Sequence, residues 1–272
     1  MQTTTSKSPT RFLYIKHIFF LSAGLILIGW LLSTPVGLLG KADAIGYAVC
    51  HRIDLRSFHI ADRTIPLCAR CTGMYLGAVL ALIYQLVLGG RRSGMPIRSV
   101  QIALGIAFSA FAIDGINSYV SIFPGAPTLY TPHNTLRLLT GTGMGITIGT
   151  VLYPAFNQTI WLNAEAQPVF RRFREFAMLP VFGLILVLLV LTENPLILYP
   201  LSLISASGVL IILTITYGMA VMIIFKREKL YLKFTQALIP MTGGFVLAIL
   251  QVTILDILRF LLTGTWDGFH LG

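Results

Sequence analysis

Seven apolar stretches, each near the length a helix needs to cross a bilayer, constrain this chain more than any other feature. A hydrocarbon core takes about 20 apolar residues of helix, and residues 17–40, 67–88, 99–122, 134–154, 176–192, 196–225 and 237–263 meet that need. The fifth is short and the sixth long, with Pro195 and Pro200 marking the turn between them. Merging that pair would give six spans, but the turn chemistry favours seven. Composition closes the alternatives: 56% of the 272 residues are hydrophobic and only 11% are charged, against roughly 25% charged in soluble domains. Too little polar surface exists to coat a soluble globule, and disorder needs the opposite balance. The expected fold is therefore all-α, a polytopic transmembrane bundle forming a single membrane domain over residues 1–272.

The charge pattern orients it. Lys7, Arg11 and Lys16 precede the first stretch, and Arg91, Arg92 and Arg98 separate the second from the third. Arg171, Arg172 and Arg174 follow the fourth, and Lys226, Arg227, Lys229 and Lys233 follow the sixth. The alternate loops hold only Lys41, Arg52, Arg56 and Arg63, all within residues 41–66. Basic residues mark cytoplasmic loops, so the N-terminus is expected in the cytoplasm and the C-terminus outside. The net charge of +10 is thus topological. No basic, aromatic-interleaved patch of the kind that binds nucleic acid is present, and nucleic acid is not expected as a partner. The lipid bilayer is.

Small residues before the second stretch (Ala42-Asp43-Ala44) resemble a cleavage site, but the apolar run ahead of them is too long for a signal peptide. It reads as an uncleaved first span. No lysine in the seventh stretch can carry a Schiff base, which sets the chain apart from rhodopsin-like proteins.

Ionisable groups inside spans are costly and point to a role. On this topology Arg70, Asp114, Asn117, Asn134, Arg137, Asp256 and Arg259 all fall in the outer half of the membrane. Cys50, Cys68 and Cys71 fall there too, with His51, His59, His133 and His270; His17 alone among the histidines is expected inside. Asn134, Arg137, Gly141, Gly145 and Gly149 recur at steps of three and four, so they form one helical stripe. Arg70, Gly73 and Gly77 form a second. Such glycines let helices approach closely, which would place the polar groups at the outer end of a helix–helix seam. Thr131-Pro132 reads as the start of the fourth helix, with threonine as its cap. Plain neutralisation would pair Asp114 with Arg137, and Asp256 with Arg259 one turn away. The convergence of Asp114, Asn117, Asn134 and Arg137 from different helices exceeds what neutralisation requires and is read as functional.

The outer segment 41–66 runs Cys50-His51, Arg56-Ser57 and His59, then Pro66-Leu67-Cys68-Ala69-Arg70-Cys71-Thr72-Gly73-Met74-Tyr75-Leu76-Gly77. This pattern, with Asp114-Gly115 and Asn134-x-x-Arg137-x-x-x-Gly141 beyond it, resembles the prokaryotic membrane-protein family catalogued as domain of unknown function 2085. The resemblance extends over about residues 45–155 and is weak across the last three stretches. His59 stands outside the pattern. The resemblance implies a prokaryotic membrane protein and names no reaction.

Three chemistries fit the cysteines. Cys68-x-x-Cys71 has zinc-ligand spacing, and Cys50 with His51 or His59 would complete a tetrahedron. Three protein ligands and an open position would make such a site catalytic. Alternatively, Cys68 and Cys71 at a helix N-terminus beside Arg70 suit thiol–disulfide redox, with Cys50 resolving. A structural disulfide with one cysteine left over is the third. A haem attachment is excluded because Thr72, not histidine, follows Cys71.

The expected protein is thus a multi-pass prokaryotic membrane protein with a zinc-like Cys/His site at the outer face. Beside it, Arg70, Asp114, Asn117, Asn134 and Arg137 would line a net-positive pocket for an anionic group such as a lipid head. The reading ahead of its rivals is metal-assisted chemistry on a membrane-bound anionic substrate. A membrane thiol oxidoreductase is the rival enzyme, and an assembly factor or transporter with a structural metal or disulfide is the rival non-enzyme. Either the cell membrane or an internal membrane fits, and the sequence leaves the oligomeric state open.

Overall fold

The computed structural model describes residues 9–123 and 125–268, with side chains from Phe20 onward. Lys7 and His270 lie outside the described residues, as do the side chains of Arg11, Lys16 and His17. Eight α-helices are present among the described residues. They are α1 (Pro9–Ser33), α2 (Gly37–Val49), α3 (Ala69–Gly89), α4 (Arg98–Val120), α5 (Asn134–Ile160), α6 (Phe173–Leu191), α7 (Pro195–Ile224) and α8 (Leu238–Thr263). The protein is an all-α, polytopic helical bundle. Among the described residues five helices are long and apolar enough to cross a membrane, α3, α4, α6, α7, and α8 with the 3₁₀ turn before it, and the bent pair α1–α2 would make a sixth if it is one span. Helix α5, though 27 residues long, falls short of that standard because glycine, threonine and asparagine dilute its apolar residues.

That dilution has a packing cause, since α5 is the inner helix. Its closest partner is α3, with α4 and α6 on its flanks; α7 backs α3, and α8 with α2 packs on α7. The α3–α5 seam is backbone against backbone. A Cβ on Gly141 would lie 2.2 Å from the Arg70 carbonyl oxygen, and one on Gly145 2.0 Å from that of Met74. From the other side, a Cβ on Gly73 would lie 2.3 Å from the Leu138 carbonyl oxygen. Both glycine stripes read from the sequence meet here. No larger side chain fits. Outward faces are apolar instead: Ile102, Ile106, Ile113 and Ile116 on α4 and Leu184, Ile185 and Leu188 on α6 are exposed. Helices satisfy their own backbone groups, so such faces suit lipid.

The first span does not run through residues 17–40. Helix α1 ends at Ser33, and the chain turns by 105° into α2. Pro35 cannot donate a helical hydrogen bond, and the Ser33 and Thr34 hydroxyls return to the Trp30 carbonyl, at 3.3 and 2.7 Å. Lys41 Nζ then donates to the Leu31 carbonyl and, at 3.0 Å, to that of Thr34, capping α1 with a cation. The first third of the expected loop 41–66 is therefore helix.

Helices α3 to α8 alternate in direction in chain order, so the close-packed α3 and α5 run parallel. The starts of α3 and α5 and the end of α4 share one end of the bundle with α2. At the opposite end Arg92–Gly94 pairs in parallel with Glu165–Pro168. There Arg91 stacks 4.4 Å from the Trp161 ring and donates to the Leu232 carbonyl at 2.6 Å.

Candidate functional site

The three cysteines are assembled by a close approach of backbone. Cys50 caps α2, its N–H donating to the Gly46 carbonyl at 2.8 Å. A Cβ on Gly46 would lie 1.9 Å from the Pro66 carbonyl oxygen, so the end of α2 can rest directly on the strip leading into α3. Cys68 is the residue preceding α3, as the Pro66 motif anticipates, and its N–H donates to Cys50 Sγ at 3.3 Å. Cys71 follows in the first turn. The three sulfur atoms lie within 4.8 Å of one another, a grouping able to hold a metal ion. All three are free thiols. Trp30, Ala44, Ile45, Leu67, Ala206 and Val252 make a dry shell around Cys50 and Cys68, which keeps water from the sulfurs.

Within this triad the thiols share protons unequally. Hydrogen bonds from Cys68 and then Cys71 hold Cys50 well below the usual thiol range. The Cys68 thiol, hydrogen-bonded to Cys50 and then penalised by burial, is pushed up to about 12. Cys50 is thus the acceptor, the sulfur nearest to thiolate.

Neither candidate histidine joins the sulfurs among the described residues. His51 Nδ1 accepts from the Ile53 N–H at 3.1 Å, which leaves Nε2 as the protonated nitrogen of the neutral ring. Burial lowers its pKa, with Arg56, Arg70 and Arg137 adding to the effect and Cys50 opposing it. The ring therefore feels the Cys50 thiol and three guanidinium groups in opposite senses. His59 lies at the rim, with Nε2 3.0 Å from Asp54 Oδ1.

The arginines form a network on the other side of the first turn of α3. Arg70 Nε donates to Asp114 Oδ2 at 3.2 Å, and its NH2 nitrogen pairs with the same oxygen. That nitrogen also reaches the Asp114 carbonyl at 3.1 Å and Ser118 Oγ at 2.9 Å. Asp114, only 1% exposed, accepts further bonds from the Tyr130 hydroxyl at 2.8 Å and Thr140 Oγ1 at 3.3 Å. The expected Asp114–Arg137 pair is thereby corrected: Asp114 belongs to Arg70. Arg137, 7% exposed, donates to Asn134 Oδ1 at 2.9 Å. Asn134 Nδ2 in turn reaches the Leu55 and Ser57 carbonyls at 3.2 and 3.3 Å. This fixes the intervening Arg56 over the start of α5, where its NH2 nitrogen reaches the Ser118 carbonyl at 3.3 Å. Asn117 fastens the next loop, accepting from Leu129 N–H at 2.7 Å and donating to the Tyr130 carbonyl at 2.9 Å.

Sequence reasoning missed Arg56, Ser118, Tyr130 and Thr140. Only Arg56 carried a signal, as part of the Arg56-Ser57 motif. The proposed cap of α5 is also corrected. His133, not Thr131, caps it, with Nδ1 accepting from Leu136 N–H at 3.3 Å.

Arg259 and Asp256 serve the cysteine loop from α8. Arg259 donates to the Tyr47 and Cys50 carbonyls, both at 2.6 Å, and to that of His51 at 3.2 Å, over the Tyr47 ring. It caps α2 with charge, as a cation at a helix C-terminus does. Asp256 accepts from Trp30 Nε1 at 3.3 Å. It lines a cleft of about 250 Å³ with Trp30, Thr253, Phe260 and Trp266, and none of the expected pocket residues line that cleft.

Residues 50–151 match the family model described as a predicted membrane protein, domain of unknown function 2085. An uncharacterized protein of Methanothermobacter thermautotrophicus is 31% identical over 98 residues, which is 36% of this chain and 78% of that protein. The chain belongs to this family. A second family relative in the archaea, an uncharacterized protein of Methanocaldococcus jannaschii, is 29% identical over 119 residues, 43% of this chain and 70% of its own length. No solved structure matches. The span matched to the domain of unknown function 2085 opens at Cys50 and closes within α5. It therefore contains the cysteine triad and Arg56, Arg70, Asp114 and Arg137, while Arg259 lies beyond it.

Proposed function

We propose that this chain is a multi-pass protein of a prokaryotic cell membrane that holds a zinc-like ion on Cys50, Cys68 and Cys71 and binds an anionic group beside it. The observation that carries this reading is the meeting of three sulfurs within 4.8 Å of one another, next to a network of three arginines with one carboxylate. The excess of basic loop residues at the opposite end supports an N-terminus in the cytoplasm and, with it, a site at the outer face.

The donor set suits zinc. Thiolates are soft ligands that zinc accepts in threes and fours, and their apolar shell favours neutralisation of their charge by a cation. Three ligands leave a fourth position, at which zinc supplies Lewis acidity when bound. The chain's own residues do the rest. Arg56, Arg70 and Arg137 hold an anionic substrate, and Asp114 fixes Arg70 in place. His51, with Nδ1 engaged and the proton on Nε2, serves as a proton carrier between the two halves of the site, and as fourth ligand only after Nε2 gives up that proton. His59 is held by Asp54 at the rim and is the weaker ligand candidate.

Metal content of detergent-purified protein tests this, measured by mass spectrometry alongside a count of free thiols. About one zinc per chain is expected, lost in a Cys68→Ser/Cys71→Ser double variant. Metal-free protein carrying a reducible Cys68–Cys71 disulfide would overturn the reading. It would favour a membrane thiol oxidoreductase, a role that the low proton affinity of Cys50 also suits.

A further inference from the structure

Charge counting in the arginine network leaves positive charge in excess among the described residues. Asp114 is fully occupied, by two bonds from Arg70 and one each from Tyr130 and Thr140. It has nothing left for a second cation. Arg56 and Arg137 donate to neutral acceptors, a carbonyl and an amide oxygen. Among the described residues neither arginine has a carboxylate within ion-pair distance. Among the described residues the buried Nε of Arg137 has no hydrogen-bond partner, although a guanidinium carries five donors. Arg56 and Arg70 both touch Ser118, and burial and Arg70 lower the proton affinity of Arg56. Two uncompensated cations thus stand together at the end of an apolar bundle, where unpaired charge is costly.

We infer that Arg56, Arg70 and Arg137 bind a phosphate group, the dianionic head of a phosphate monoester. Two guanidinium charges in excess match two negative charges. The three arginines come from three elements, the 41–66 segment, α3 and α5, and so approach from different directions. That suits a tetrahedral oxyanion more than a planar carboxylate. The inference rests on the anion-binding half of the proposed function and not on the metal. The same chemistry is offered by a phosphatidate-type lipid head at the membrane surface and by free phosphate.

The test is binding by the full chain in detergent micelles, followed by native mass spectrometry. The probes are dioleoyl phosphatidic acid, dioleoyl phosphatidylcholine and inorganic phosphate as competitor. Phosphatidic acid is expected to bind roughly tenfold more tightly than phosphatidylcholine, and Arg56→Gln and Arg137→Lys each to weaken it roughly tenfold. Arg174→Gln, on the exposed start of α6, should leave it unchanged. The lysine variant keeps the charge and the fold while removing the fork, and its thermal midpoint separates binding loss from unfolding. Binding of inorganic phosphate alone, lost in the same two variants, supports the phosphate assignment with a free ion as the source. Equal binding of the two lipids with no phosphate competition, or binding indifferent to both variants, overturns it.

The Cys68→Ser/Cys71→Ser protein separates this inference from the metal reading. Phosphate-group binding retained there with zinc lost supports the arginine assignment. Zinc binding without phosphate binding in the parent chain overturns it and leaves the metal reading standing.

Discussion

Removing the Asp114 carboxylate leaves the largely buried Arg70 without its partner, because among the described residues no other acid pairs with that guanidinium. Breaking a buried pair from one side costs on the order of 3–5 kcal/mol. Asp114→Ala is therefore expected to lower the thermal unfolding midpoint in detergent strongly. Tyr130→Phe, which removes one donor of several, should cost on the order of 1 kcal/mol. Equal midpoints for the two variants would contradict the network. A second residue-scale prediction concerns protons. Cys68 holds its proton up to about 12 in the metal-free triad, so binding zinc must expel it. Apparent zinc affinity is then expected to rise from about pH 6 to about pH 8, with proton release visible as a buffer-dependent calorimetric enthalpy. Pairing at this scale was not legible in the sequence. Arg70, Asp114 and Arg137 each announce themselves as costly groups in apolar surroundings, but which arginine takes the carboxylate depends on how α3, α4 and α5 are rotated.

The α3–α5 seam can be tested within a single helix. A Cβ at Gly145 would meet the Met74 carbonyl oxygen at 2.0 Å, backbone that cannot yield locally. Gly143, two residues away, faces only Ala107 Cβ at 3.5 Å, an ordinary contact. Gly145→Ala is expected to destabilise by about 1–3 kcal/mol through forced separation of the helices. Gly143→Ala should be neutral, or stabilising by up to about 1 kcal/mol from helix propensity. Matching unfolding midpoints would remove the seam as the reason for the glycines. This element was readable in advance because helical spacing alone puts Gly141, Gly145 and Gly149 on one side. Helix α2 was not. Its residues from Lys41 onward read as loop, and it exists because Pro35 ends α1, Lys41 reaches back from α2 to cap α1, and Arg259 caps α2 from α8. The same holds for His133, whose ring displaces Thr131 as cap by geometry that no dipeptide signature carries.

At the scale of the whole molecule, the proposed orientation puts the C-terminus on the side of the cysteine triad. An alkaline phosphatase fused there should be active in a bacterial host, and a green fluorescent protein in the same place dark. The reverse pattern would invert the topology and place the triad in the cytoplasm, a reducing compartment that suits metal ligation more than disulfide exchange.

The sequence alone determined that the chain is an all-α membrane bundle and that its cysteines, Arg70, Asp114 and Arg137 gather at one end. Those properties are local: in lipid each helix must satisfy its own backbone, so length, hydropathy and glycine spacing report it directly. Tertiary structure alone decided that Cys50 meets Cys68 and Cys71 without His51 or His59, that Arg70 and not Arg137 takes Asp114, and that Arg56 joins the cation cluster. Those outcomes depend on the azimuth and depth of helices packed side by side, and on a 105° turn after α1. Such quantities are set by long-range contact, and no stretch of neighbouring residues encodes them.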